Sequence, residues 1–140
     1  MVYCDLKKIY KKPYIHAIKL VHEIDQYPDI SYLQQSYDDV KDPIERQKYL
    51  DQDKQRLNDA NNGYWWMIGV YAQTEILVPI DGTNSCQLIP LKSGGLWGIE
   101  SDSGSDYIQD IEKQEIDQLK DLCKKLHVRI PKDIMIIGAD

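Results

Sequence analysis

Apolar and polar residues alternate most regularly between Tyr64 and Ile80. Trp66, Ile68, Val70, Ala72, Ile76 and Val78 fall on one face of an extended chain, and Trp65, Met67, Tyr71 and Leu77 on the other. This predicts a long central strand whose polar Gln73, Thr74 and Glu75 leave the core or bend. Asp81-Gly82 is a turn signal, so a returning strand is expected over Cys86–Leu91 and, beyond the break at Lys92-Ser93-Gly94-Gly95, a short one over Leu96–Glu100. From Ser105 to Leu126 the spacing becomes three and four. Ile108, Ile111, Ile116, Leu119, Leu122, Cys123 and Leu126 form the stripe of an amphipathic helix.

Upstream, Asp42-Pro43-Ile44-Glu45 is a helix start, with an N-cap, proline at the first helical position and an acid in the first turn. That helix should end near Asn61-Asn62-Gly63, and its few apolar residues suit the edge of a core. Tyr14–Ile24 reads as a strand bounded by Pro13 and Pro28, with a helix over Ile15–Ile24 as the competing reading. Ile134–Ile137 makes a last strand or an apolar tail within residues 128–140, and residues 1–12 an N-terminal arm. The expected fold is one α+β domain over residues 1–140, with an antiparallel sheet of three or four strands and two main helices packed against it. A chain of 140 residues is long enough for one such core.

Composition narrows the function classes. The net charge of −6 disfavours direct nucleic-acid binding, because Lys7, Lys8, Lys11 and Lys12 are the only basic cluster and read as a solvated face. No apolar run reaches the roughly 20 residues of a membrane span, and Asp5 stands where a signal peptide needs apolar residues, which predicts a cytoplasmic protein. Cys4, Cys86 and Cys123 contain no C-x-x-C pair and indicate neither a zinc site nor a disulfide framework; Cys86 and Cys123 are expected as small core residues in a reducing compartment. His16 and His22 share a strand face but lack identifiable co-ligands for a metal, so they are expected to be exposed or hydrogen-bonded.

Candidate chemistry gathers in Glu100-Ser101-Asp102-Ser103-Gly104-Ser105-Asp106. Glu100, Asp102 and Asp106 are hard oxygen ligands of the kind that hold Mg²⁺ or Ca²⁺, although the spacing is not that of an EF-hand. A competing explanation is helix capping, with Ser103 and Asp106 as a capping box or Ser105 as N-cap. No serine of the turn has a histidine nearby in sequence, and no nucleophile elbow or phosphate loop is present. Adjacent Trp65 and Trp66 must face opposite ways; both are expected in the core, with one of them, or Trp97, at an interface as the alternative reading.

The stretch Gly94-Gly95-Leu96-Trp97-Gly98-Ile99-Glu100-Ser101-Asp102-Ser103-Gly104 resembles a widespread family of small proteins of phages, plasmids and bacterial genomes, which carry the same motif ahead of a helix. Tyr27–Leu33 and Gly69–Ala72 extend the resemblance more loosely, so it covers most of the chain from Ile24 onward. The family has no established activity, and no catalytic residue carries over. What the resemblance implies is a mobile-element setting. It predicts a non-enzymatic factor that contacts a host protein, such as a nucleic-acid-handling defence component, in the manner of an anti-CRISPR inhibitor, alone or as a homodimer. Trp65, Trp97, Asp110, Glu112 and Asp117 are the expected contact residues. A divalent-metal-dependent enzyme or metal-binding regulator using Glu100, Asp102 and Asp106 is the alternative.

Overall fold

The computed structural model describes residues 2–3, by backbone alone, and 12–139. Cys4, the cluster Lys7, Lys8 and Lys11, and most of the expected arm lie outside them. The fold is α+β. Strands β1 (Val2–Tyr3), β2 (Ala17–Ile24), β3 (Met67–Pro79), β4 (Ser85–Lys92), β5 (Leu96–Glu100) and β6 (Met135–Ile137) form one sheet with helices α1 (Pro43–Asn61) and α2 (Ser105–Lys125). The strand order is β1-β4-β3-β2-β6, with β5 pairing the first part of β3. Among the described residues six strands replace the expected three or four, and β2 and β6 run parallel while the other pairs are antiparallel. The last of them, β6, is the strand alternative expected within Ile134–Ile137, whereas β1 is two residues long, too short for a periodic signal.

β3 is central because it is apolar on both faces. Ile68, Val70, Ala72 and Ile76 meet α2 through Ile111, Leu119 and Cys123, and Ile15, Ile18 and Leu20 complete that layer. Ile15 and Ile18 are fully buried, each worth about 2–3 kcal/mol of transfer free energy. β3 does not leave the core at Thr74. The Thr74 hydroxyl donates to the Ala17 carbonyl at 2.6 Å, so the buried polar group is paired and the strand runs on to Pro79. Pro79 ends β3, and among the described residues Pro90 lies where β4 has no outer neighbour to accept an amide hydrogen.

Helix α1 begins as its sequence dictates, with the Asp42 carboxylate accepting from the Ile44 amide at 3.0 Å. It buries no residue completely and meets the sheet only at its end, where Leu57 and Ala60 pack on Trp65 and Met67. Helix α2 starts differently from expectation. Gly104 is the N-cap and no side chain caps it; the Ser103 hydroxyl instead donates to the Glu100 carbonyl at 2.6 Å. The capping box is absent because Gly104 takes the N-cap position and the Ser103 hydroxyl is spent on the Glu100 carbonyl.

The cysteine expectation also needs correction. Cys86 is buried beside Tyr14 and Leu77, but it is disulfide-bonded, whereas Cys123 is a free buried thiol whose pKa burial raises. The inference of a reducing compartment rested on unpaired cysteines, and this removes its ground. Alkylation under denaturing conditions should label Cys123 without reductant and Cys86 only after reduction. Peptide mapping that finds both labelled without reductant would contradict the pairing.

Candidate functional site

The two faces of the sheet have different fates. One is covered by α2, and the other carries Trp97. Opposite the single residue Gly69, β5 supplies two residues, Trp97 and Gly98, so the register shifts between Ile68 and Val70. Gly98 takes a φ of +76°, which favours glycine. This bulge turns the indole onto Gly69, on the face away from α2. There is no space between them: a Cβ on Gly69 would lie 2.3 Å from Trp97 Cε3. Tyr71 flanks the indole with ring centroids 6.5 Å apart. The Tyr71 hydroxyl donates to Glu23 at 3.0 Å, and the Lys92 ammonium stands 5.2 Å from the ring centroid. Burial, then the Glu23 hydrogen bond, raises the Tyr71 pKa, so it remains a phenol. Trp97 itself stays 47% exposed, an aromatic surface fixed from below.

The loop from β4 to β5 is held from the α2 side. Ser93 exchanges hydrogen bonds with Ala72, its amide donating to the carbonyl at 2.8 Å and its hydroxyl accepting from the amide at 2.9 Å. That hydroxyl then donates to Glu115 Oε1 at 2.8 Å, which also accepts from the Gly95 amide at 2.7 Å, while Gln118 accepts from Gly94 at 2.5 Å. Glu115 is 8% exposed and sits four residues from both Ile111 and Leu119, inside the buried row of α2. A charged residue in an apolar row is the sequence signal that would have identified it.

The acidic turn has a structural partner. Arg56 on α1 grips Asp102 with two hydrogen bonds of 2.6 Å, from Nη1 to Oδ2 and from Nη2 to Oδ1, and reaches Glu100 Oε2 at 2.9 Å. The other Glu100 oxygen accepts from the Tyr32 hydroxyl at 2.5 Å. The guanidinium lies 3.9 Å over the Trp65 ring, whose Nε1 donates to the Arg56 carbonyl at 2.9 Å. The Arg56 hydrogen bonds hold Asp102 below the usual carboxylate range, and burial followed by the Glu100 contact pushes Tyr32 well above the usual phenol range. Ser101 completes the join, its amide donating to the Trp66 carbonyl at 2.7 Å and its hydroxyl accepting from the Trp66 amide at 3.0 Å. Two of the three predicted metal ligands are thus spent on Arg56 and Tyr32. Asp106 stands exposed on the first turn of α2, and among the described residues no cluster of three or more potential ligands is present.

The five predicted contact residues are not brought together. Trp65 is 2% exposed and serves the Arg56 join, so it is a core residue rather than a contact. Asp110 and Asp117 are exposed on α2, and Glu112 is paired with His22 at 3.2 Å, all on the opposite side of the sheet from Trp97. Comparison with protein-family models, curated proteins and solved structures finds no match.

Proposed function

We propose that the chain is a non-enzymatic protein-binding factor of a phage or mobile element, acting on a host protein through the sheet face around Trp97. The seat of Trp97 on Gly69 supports this reading most directly. An aromatic side chain immobilised before contact loses little entropy on binding, and such residues dominate the energetics of protein interfaces. Trp97 keeps 47% of its surface exposed, whereas Trp65 and the buried residues of the α2 stripe are consumed by the core. Inhibition of a host defence system, in the manner of an anti-CRISPR protein, is the specific role proposed, in the bacterial cytoplasm. A disulfide at Cys86 that persists in cells would move the site of action to an oxidising compartment.

The electrostatic form of the reading, in which Asp110 and Asp117 approach a basic partner, requires a different surface, because one flat contact cannot reach both sides of the sheet. A pull-down from host lysate with wild-type protein, Trp97→Ala and Asp110→Lys/Asp117→Lys separates the two. Stoichiometric recovery of one host protein by wild type and the charge variant, lost with Trp97→Ala, is the expected result. Loss with the charge variant alone would transfer the interface to α2. Equal recovery by all three would refute both surfaces.

A further inference from the structure

Some distance along the same face from Trp97, the sheet holds a cavity of about 260 Å³. Its floor follows from the register. Lys19 of β2, Gln73 of β3 and Lys92 of β4 stand in one row across three neighbouring strands, with Ile137 of β6 beside Lys19. The next row places Glu75 beside Pro90, and Ala17, two residues before Lys19 on β2, also lines the cavity. The two lysine Cα atoms are about 10 Å apart at ordinary strand spacing. Each side chain is long enough to bring its ammonium over Gln73. Ala17 leaves the hollow, and Pro90, Leu91 and Ile137 give it apolar walls.

The charge of this place runs against that of the chain. The protein carries −6 overall, yet two lysines line one small cavity whose single lining carboxylate is Glu75. Among the described residues neither lysine has a carboxylate within ion-pair reach, and Lys92 is held instead by the Tyr71 ring. Two cations without counterions, a carboxamide between them and an apolar wall match a molecule with an anionic head and a short hydrocarbon body. We propose that this cavity binds a small amphipathic carboxylic acid, with its carboxylate between Lys19 and Lys92 above Gln73 and its chain along Ala17, Pro90 and Ile137. Glu75 sets the orientation by repelling the head from its own end of the cavity.

Sodium octanoate is a suitable probe, with octylammonium chloride as the control of opposite charge. Titrated into the full chain and followed by amide chemical shifts, octanoate should produce saturable changes centred on Lys19, Gln73 and Lys92, and octylammonium should not. Lys19→Gln/Lys92→Gln should weaken octanoate about tenfold, since two exposed charge contacts are removed. Glu75→Gln should tighten it several-fold, a gain that general damage to the fold would not produce. Ala17→Leu should abolish binding by filling the hollow. The proposal fails if octanoate gives no saturable shifts, if octylammonium binds equally well, or if neutralising the lysines changes nothing while circular dichroism reports an intact fold. None of these outcomes depends on a protein partner being found, so failure here and failure of the Trp97 interface are distinguishable.

Discussion

Replacing Arg56 with alanine should destabilise the protein by about 2 kcal/mol and lower the melting temperature by roughly 7 °C. The guanidinium makes a two-pronged pair with Asp102, touches Glu100 and covers Trp65, tying α1 to the β5–α2 turn. Charge-assisted pairs of this geometry are among the stronger ones. Asp102 is 48% exposed at its side chain, however, so solvent screening reduces the electrostatic share. Stacking on Trp65 and packing of the arginine stem supply the remainder, roughly 1 kcal/mol. Arg56→Lys should recover only part of the loss, because an ammonium cannot reproduce the planar fork.

The acid dependence carries the sign that distinguishes this pair from simple packing. Arg56 depresses the folded-state pKa of Asp102 below its ordinary value. Its contribution is therefore fully present above the unfolded pKa near 4 and is lost as the pH falls through the lower folded value. The stability gap between wild type and Arg56→Ala should narrow as the pH drops from neutrality to below that folded value. Chemical denaturation across that range measures it. A gap that stays constant would assign the effect to the Trp65 contact alone.

Gly69→Ala should have the largest effect on partner recovery of any single substitution outside Trp97 itself. The added methyl would stand 2.3–2.6 Å from three ring atoms, so the indole must swing away from the sheet. Overpacking of this kind costs about 1–3 kcal/mol. The variant should lose partner recovery as Trp97→Ala does, although Trp97 is still present, and tryptophan emission should shift to the red. In a Trp97→Ala background the three ring atoms that the methyl would strike are gone, and its cost should fall to a few tenths of a kcal/mol. If the two substitutions prove additive in stability, the indole does not rest on Gly69.

Local pattern carried much of this architecture. The two-residue alternation of Tyr64–Ile80 specified a strand buried on both faces, and the three-and-four spacing after Ser105 specified α2, because both periods are written in consecutive residues. Asp42-Pro43 marked the start of α1 for the same reason. The bulge at Trp97 and Gly98 lies opposite Gly69, on a strand pairing that local pattern does not specify. Elsewhere local pattern misled. Ser103 and Asp106 match a capping box, yet the turn is organised by Arg56, which lies 44 residues before Glu100. Trp65 and Trp97 look alike in the sequence, as aromatics in strand candidates, but one lies beneath a guanidinium and the other over a glycine.

The sequence by itself determined that this is an α+β chain built on one long central strand and one strongly amphipathic helix. Periodicity follows from backbone geometry and needs no knowledge of what packs where. Only the tertiary structure decided that the acidic turn is a clasp, that α2 and Trp97 occupy opposite faces, and that Lys19 and Lys92 face each other across Gln73. Those facts depend on pairings between residues far apart in the chain, and the free energy of such contacts leaves no mark on the local order of residues.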